Sequence, residues 1–279
     1  ITGANGFIGG SLMRYYQNQG QDVVGVDLVG NGDDIVEGDI SQPDSISQLL
    51  TESDVIIHTA ALVSNAMQDS DMWRVNVLAT RNLIQAAKEH SVRRFVQISS
   101  IVAYGNSAKG EIDETHPVHA DGGSYVLTKL ASEHVVLSEQ ACDDIEVVII
   151  RPGDAYGPGS RPWIIAPLEA IAKNQFMLPE KGEGFFRPIY IDDLVRGIAM
   201  ASRHPDAAGE IFNLSCEGYM FTKDYFTPHY QWLGKKGPMA VSTKLALRIS
   251  TMASKVADLM GNLNEASPST VKQLSTKSW

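Results

Sequence analysis

Cysteine is nearly absent from this sequence of 279 residues, with only Cys142 and Cys216, far apart in the chain. Two such residues supply neither a disulfide framework nor a thiolate metal site, so a reduced, cytoplasmic setting is expected. The seven histidines show no His-Glu-x-x-His or comparable spacing, and no metal is expected. No apolar run approaches the roughly 18–20 residues that span a bilayer, and no signal-peptide pattern is visible. Positive charge is also short: 23 basic against 33 acidic residues give a net charge of −10. A nucleic-acid surface needs clustered Lys and Arg to displace counterions, so nucleic acid is excluded as a partner. Internal repeats and low-complexity segments are lacking as well.

What is present is a large apolar fraction, 43%, enough for the core of one or two domains. Near-continuous Val and Ile at 22–28, 54–59, 93–99 and 145–151 reads as strands buried on both faces. Helical patterns at 7–19, 75–90 and 125–141 alternate with them. Strand, helix, strand, helix predicts an α/β fold with a doubly wound parallel sheet. After Gly157 the pattern loosens around Pro158, Pro162 and Pro167. The expected organisation is therefore a nucleotide-type sheet domain over 1–157, rejoined at about 188–214. Residues 158–187 and 215–279 would form a smaller C-terminal substrate region.

The chain opens ITGANGFIGG, with Gly3, Gly6 and Gly9 three residues apart. Gly3 allows a tight turn out of a strand, Gly6 a close backbone approach to a pyrophosphate, and Gly9 close packing of the next helix. The residues between them, Asn5, Phe7 and Ile8, then lie against the phosphates at the helix N-terminus. A dinucleotide site of this kind wants a carboxylate about 20 residues on, at the end of the second strand. Asp27 stands there. It would bond the ribose hydroxyls and repel a 2′-phosphate, which predicts NAD rather than NADP. Such a turn also wants a full strand ahead of it, so a few residues are expected to precede Ile1.

A second constellation lies in SYVLTKLASE, residues 124–133. Tyr125 and Lys129 are i, i+4 and share one helix face. A phenol titrates near 10, and a neighbouring ammonium brings it toward neutrality, as a general acid or base requires. Upstream, QISSIVAYG (97–105) puts Ser100 just past a strand end, on the side of a parallel sheet where ligands bind. Ser100 would orient the same substrate oxygen that Tyr125 protonates or deprotonates.

Together these pieces resemble the extended short-chain dehydrogenases/reductases, also called the NAD-dependent epimerase/dehydratase family. The resemblance runs from residue 1 to about 215. It is carried by TGANGFIG (2–9), Asp27, GDI (38–40), HTAA (58–61), VNVLATRNL around Asn76, SSIVAYG (99–105), Tyr125 with Lys129, RPGDAYGP (151–158) and YIDDLVRG (190–197). It implies a Rossmann-type fold with Asp39 and Ile40 flanking the adenine, and Thr59, Ala60 and Ala61 near the pyrophosphate and ribose. It further implies Lys129 on the nicotinamide ribose and Pro152 and Gly153 beside the nicotinamide, with Asn76 and Ser99 also among the cofactor contacts. Members often pair two helices, here 72–90 and 125–142, across a twofold axis, so a homodimer is expected.

The sequence departs from the nucleotide-sugar branch of that family at the substrate end. That branch usually has Asn where Asp154 stands and Arg where Phe186 aligns, with Arg187 one position away. A carboxylate repels a diphosphate and a phenyl ring cannot pair with it. RPGDAYGPGSRPW with FFRPIYIDDLV is more similar to the 3β-hydroxysteroid and sterol-carboxylate dehydrogenase branch. The expected activity is thus hydride transfer between NAD and a secondary alcohol or ketone on an apolar skeleton. The alternatives are a nucleotide-sugar epimerase or dehydratase that returns NAD unchanged, and a non-catalytic dinucleotide sensor. Trp163, Phe185 and Phe186 are candidates to line an apolar pocket or to form the core of the smaller region. His58, inside a strand, is expected to be structural. At 244–263, Leu245, Ile249, Met252, Val256 and Leu259 form one apolar stripe, expected to pack on the substrate region, with a weak membrane-surface contact as the alternative.

Overall fold

The computed structural model describes residues 1–278 except 33, 65, 66, 143 and 261–264, together with all side chains of that set but those at 258 and 259. Leu259 and the far end of the 244–263 segment thus lie outside the described side chains. Six strands form the main sheet: β1 (Gly25–Asp27), β2 (Ile35–Glu37), β3 (Val55–His58), β4 (Arg94–Ile98), β5 (Glu146–Pro152) and β6 (Ile211–Leu214). Thr2 bridges Val26 on one side and His58 on the other. The spatial order is therefore β2, β1, Thr2, β3, β4, β5, β6, and every pairing is parallel.

The two faces of this sheet explain its unbroken apolar runs. Ile56, Phe95, Val147 and Ile149 point to one side. There they meet Leu83, Ile84 and Ala87 of helix α2 (Thr80–Glu89) and Val136 of helix α3 (Ser124–Gln140). Ile57, Val96, Val148 and Ile150 point to the other, against Leu12 of α1 (Phe7–Asn18) and Leu194, Val195 and Ile198 of α4 (Ile191–Ala201). Alternate residues of one strand serve opposite layers, so no position can be polar without a partner. Helix α2 shows the matching helical logic: Thr80, Leu83, Ile84 and Ala87, at i, i+3, i+4 and i+7, are all fully buried. Each such large aliphatic side chain contributes roughly 1.5–3 kcal/mol on burial.

The smaller layer is aromatic. Leu178, Phe186, Tyr225 and Phe226 are its buried centre, with Tyr156, Trp163 and Phe176 packed around them. Phe185–Phe186 pairs antiparallel with Met220–Phe221. The strand Lys277–Ser278 returns to pair with Lys109–Gly110, beside the sheet domain.

Three expectations need correction. The short strand β2 has only three residues and was not anticipated. Pro188–Tyr190 does not rejoin the main sheet; it pairs with Asp154–Tyr156, because the place beside β5 is taken by β6. The apolar stripe of the helix Thr243–Leu259 does not pack inward: Leu245, Ile249, Met252 and Val256 are 39–70% exposed, while the small Ala246 and Ser250 face the protein. No described helix is long and apolar enough to cross a membrane.

Candidate active site

The opening glycines make the turn their spacing requires. Gly3 has φ +68°, and a Cβ there would lie 2.7 Å from the Ala60 backbone. At Gly9 a Cβ would lie 2.1 Å from the Gly3 carbonyl oxygen. The turn and the first turn of α1 are thus pressed against the end of β3, and only hydrogen fits at either position. No side chain caps α1 and no acidic residue sits in its first turn. Its first N–H groups, which lack partners within the helix, are left for an anion. Asp27, at the end of β1, accepts the Asn5 main-chain N–H at 2.9 Å and that of Leu28 at 2.8 Å. Its half-buried carboxylate lies beside the turn and keeps lone pairs for ribose hydroxyls.

The neighbouring loops carry the other residues assigned from sequence. Thr59 Oγ1 donates to the Thr2 carbonyl at 2.7 Å, locking the 59–61 segment, with Ala60 and Ala61, against the turn. Asp39 accepts the Ser41 N–H at 2.8 Å, and Ile40 is buried. Ser99, just past β4, is 4% exposed and its hydroxyl has no hydrogen-bond partner among the described residues. A buried orphan of this kind at the carboxyl end of the sheet is what a bound polar ligand would satisfy. Pro152 ends β5, and Gly153 donates its N–H to the Leu214 carbonyl at 2.8 Å. Asn76 does something else. Its amide accepts the Leu62 N–H at 2.7 Å and donates to the Leu62 carbonyl and Thr128 Oγ1. The side chain is 2% exposed, and through these bonds Asn76 ties the 59–62 loop to α3. It lies in a π-helical segment, Arg74–Ala79.

Ser100, Tyr125 and Lys129 come together at the carboxyl end of β4. Ser100 heads the turn Ile101–Tyr104 and its Oγ accepts the Val102 N–H at 3.3 Å. Burial pushes the Tyr125 phenol up to about 12, and the nearby Ser100 hydroxyl acts in the opposite direction. Lys129 is 4% exposed, and burial lowers its ammonium to about 8, with Glu133 acting the other way. Lys129 Nζ lies 6.0 Å from the Tyr125 ring centre and donates to the Ile98 carbonyl at 2.9 Å. At neutral pH the set therefore holds a neutral phenol beside a charged ammonium.

His58 is structural, as its strand position suggested. Thr80 Oγ1 donates to the Asn76 carbonyl, so it accepts from His58 Nε2 at 2.9 Å, and His58 Nδ1 accepts from Thr2 Oγ1 at 2.7 Å. Burial, with help from the Lys129 charge, holds this ring neutral, its pKa lowered to about 3.

The substrate assignments change most. Phe186 is 1% exposed and stacks on Tyr225 at 3.8 Å. Trp163 meets Phe186 at 4.9 Å, and its carbonyl accepts from Tyr225 and His229. Phe186 belongs to the aromatic core, and the half-buried Trp163 packs against it. Arg187 and Asp154 form a buried pair: Asp154 Oδ2 accepts the Arg187 N–H at 3.0 Å and faces Nε and Nη2 at 3.4 Å. Asp154 thus presents no free negative charge. Burial pushes its carboxyl up despite the guanidinium.

The profile of the NAD dependent epimerase/dehydratase family matches residues 1–215. The chain belongs to that family. It is an NAD-dependent enzyme of the extended short-chain dehydrogenase type. It is 30% identical over 229 residues to UDP-glucose 4-epimerase of Vibrio cholerae, covering 77% of this chain and 69% of the relative. It is 26% identical over 260 residues to 3 beta-hydroxysteroid dehydrogenase/Delta 5-->4-isomerase of Mycobacterium tuberculosis, covering 85% and 70%. Among solved structures it is similar to MoeE5 in complex with UDP-glucose and NAD, with TM-score 0.76, 26% identity, and 86% and 83% of the two chains covered.

Proposed function

We propose that this family member transfers hydride between NAD and the carbinol carbon of a secondary alcohol or ketone on an apolar skeleton. The observation that supports this reading is the convergence of Ser100, Tyr125 and Lys129 at the carboxyl end of a sheet whose first turn is built on Gly3, Gly6 and Gly9. When bound, NAD supplies the hydride acceptor or donor at its nicotinamide ring. The residues that fit it are Gly3, Gly6 and Gly9 with the α1 N-terminus for the phosphates, Asp27 for the ribose hydroxyls, and the unpartnered Ser99 hydroxyl deeper in the crevice.

This chain's part in the chemistry is the proton. Tyr125 gives a proton to the substrate oxygen in reduction and takes it in oxidation. A phenol at about 12 is already the acid that reduction needs. To act as a base it requires added positive charge, which the Lys129 ammonium supplies from one turn along the helix. Ser100 holds the oxygen on the line between them.

The substrate class rests on Arg187. Its guanidinium is occupied by Asp154, and Phe186 is core, so neither offers a diphosphate the bidentate cation it prefers. A second reading, an epimerase or dehydratase acting on a nucleotide sugar, is favoured by the likeness to MoeE5 with UDP-glucose. The two are separated by following net NADH formation while secondary alcohols and nucleotide sugars are offered with NAD. Stable NADH with an alcohol, lost in Tyr125→Phe, supports the first reading. Turnover of a nucleotide sugar without net NADH supports the second. Exposed Trp73 and Leu78 on the 72–90 segment support pairing of that segment with α3 in a homodimer, which light scattering at micromolar concentration tests.

A further inference from the structure

Helix α3 carries a third ionisable residue on the face that bears Tyr125 and Lys129. Glu133 follows Lys129 by one more turn, at i+4, and is 2% exposed. Its two oxygens receive Arg151 Nε at 2.9 Å and Nη2 at 2.7 Å, a bidentate pair with both side chains buried. Arg151 ends the apolar part of β5, directly before Pro152 and Gly153. Its remaining Nη1 donates to the Tyr104 hydroxyl at 2.8 Å, and the guanidinium lies 4.8 Å over the Tyr104 ring. Tyr104 closes the short turn that Ser100 opens. The Tyr104 hydroxyl in turn donates to Asn213 Oδ1 at 2.9 Å, and Asn213 is Arg151's register partner on β6. The two segments that carry the candidate catalytic groups, the Ser100 turn and α3, therefore meet the end of β5 at a single guanidinium.

We propose that Glu133 and Arg151 are positioning residues: their pair fixes α3 against the Ser100 turn and the end of β5, and so sets the alignment of Ser100, Tyr125 and Lys129. Neither touches substrate or cofactor. The pair has a fixed geometry because a forked guanidinium on a planar carboxylate tolerates little rotation. It also has an electrical consequence. The charged or titratable groups beside Lys129 are Tyr125 and Glu133 on its own helix and His58 on β3, with Arg151 of β5 one step further on, paired to Glu133. His58 is held neutral, so Glu133 is the carboxylate that favours the Lys129 ammonium. Removing it makes Lys129 lose its proton at lower pH, and with it the charge that Tyr125 draws on.

This rests on the reading of Tyr125 and Lys129 as the proton-handling pair, so the test includes a readout that does not need turnover. Three variants are compared with the wild type: Glu133→Gln, the doubly neutral Glu133→Gln/Arg151→Gln, which leaves no unpaired buried charge, and Glu133→Asp. The measurements are kcat against pH, the Kd for NAD, and the tyrosinate absorbance that is lost in Tyr125→Phe. The expected result is a kcat at least tenfold lower in both Gln variants, and an upper pH limit about one unit lower. The Tyr125 titration should shift in the same variants, the Kd for NAD should stay within about threefold, and Glu133→Asp should recover part of the loss. Folded Gln variants with the wild-type pH profile and Tyr125 titration overturn the proposal, as does a lower kcat with an unmoved profile. If the Tyr125 titration shifts but Tyr125→Phe keeps full activity, the positioning role stands and the assignment of Tyr125 to catalysis falls.

Discussion

Adjacent glycines of helix α1 should respond oppositely to the same substitution. Replacing a helical Gly by Ala gains about 1 kcal/mol of helix propensity, other things being equal. Gly9 and Gly10 both lie inside α1, so that gain is common to them. Their surroundings are not. At Gly9 the new Cβ would stand 2.1 Å from the Gly3 carbonyl oxygen and 2.8 Å from Thr59 Oγ1. The obstructing oxygen also accepts the Gly6 N–H at 2.9 Å, so pushing it aside opens the turn. Forcing an extra methyl into such a place costs about 1–3 kcal/mol, and because the obstacle is main chain the cost wins. At Gly10 the Cβ meets the Ala4 oxygen at 3.2 Å and Arg14 Nη1 at 3.7 Å, which a small adjustment accommodates. Gly9→Ala should therefore lose up to about 2 kcal/mol of stability and bind NAD at least tenfold more weakly, about 1.4 kcal/mol. Gly10→Ala should be neutral or up to about 1 kcal/mol more stable, with its NAD affinity unchanged within about twofold. Urea denaturation and fluorescence titration with NAD measure both. Equal behaviour of the two variants would refute the idea that α1 is pressed onto its own turn.

Two further predictions concern charge. His58 is held neutral with its pKa lowered from 6.5 to about 3; its stabilising effect is complete above pH 6.5 and is lost as pH falls from 6.5 toward 3. Each pH unit in that window costs up to about 1.4 kcal/mol, so the stability difference between wild type and His58→Gln should narrow by about 2–3 kcal/mol between pH 6.5 and 4.5, and a constant difference in urea titrations would count against the buried neutral ring. Asp27→Ala should cut the preference for NAD over NADP by at least tenfold in binding titrations, since the carboxylate accepting the Asn5 N–H is the group a 2′-phosphate would meet; an unchanged ratio would place the ribose elsewhere.

Much of this architecture was legible in the residues because its causes are local or periodic. Strands buried on both faces must be apolar throughout, which marks β3, β4 and β5 in the sequence. A tight phosphate turn needs glycine where a Cβ would strike main chain, and Gly3 and Gly9 meet that condition. Tyr125 and Lys129 announce their shared face through helix geometry alone. The misses are tertiary. Strand β2 offers three residues and no period to read. Phe185 and Phe186 look alike in sequence, but strand alternation buries the second in the aromatic core. Asp154 and Arg187 stand far apart in the chain, and nothing local says that each will cancel the other. Glu133 was passed over for the same reason: only the fold brings Arg151 to it.

That arginine has a consequence for how the chain reaches its structure. Parallel strands of Val and Ile match one another almost equally well in shifted alignments, since one branched aliphatic resembles the next. Arg151 removes that ambiguity. In the native alignment its guanidinium faces Glu133 and Tyr104; displaced by one residue it would point instead among Leu194, Val195 and Ile198 on the opposite layer, an unpaired charge costing about 3–5 kcal/mol. Arg94, at the other end of the neighbouring strand, does the same through Glu146 and the carbonyls of Ala201 and His204. A slipped sheet would have to bury both cations unanswered, so two charges penalise registers that the aliphatic side chains alone would tolerate.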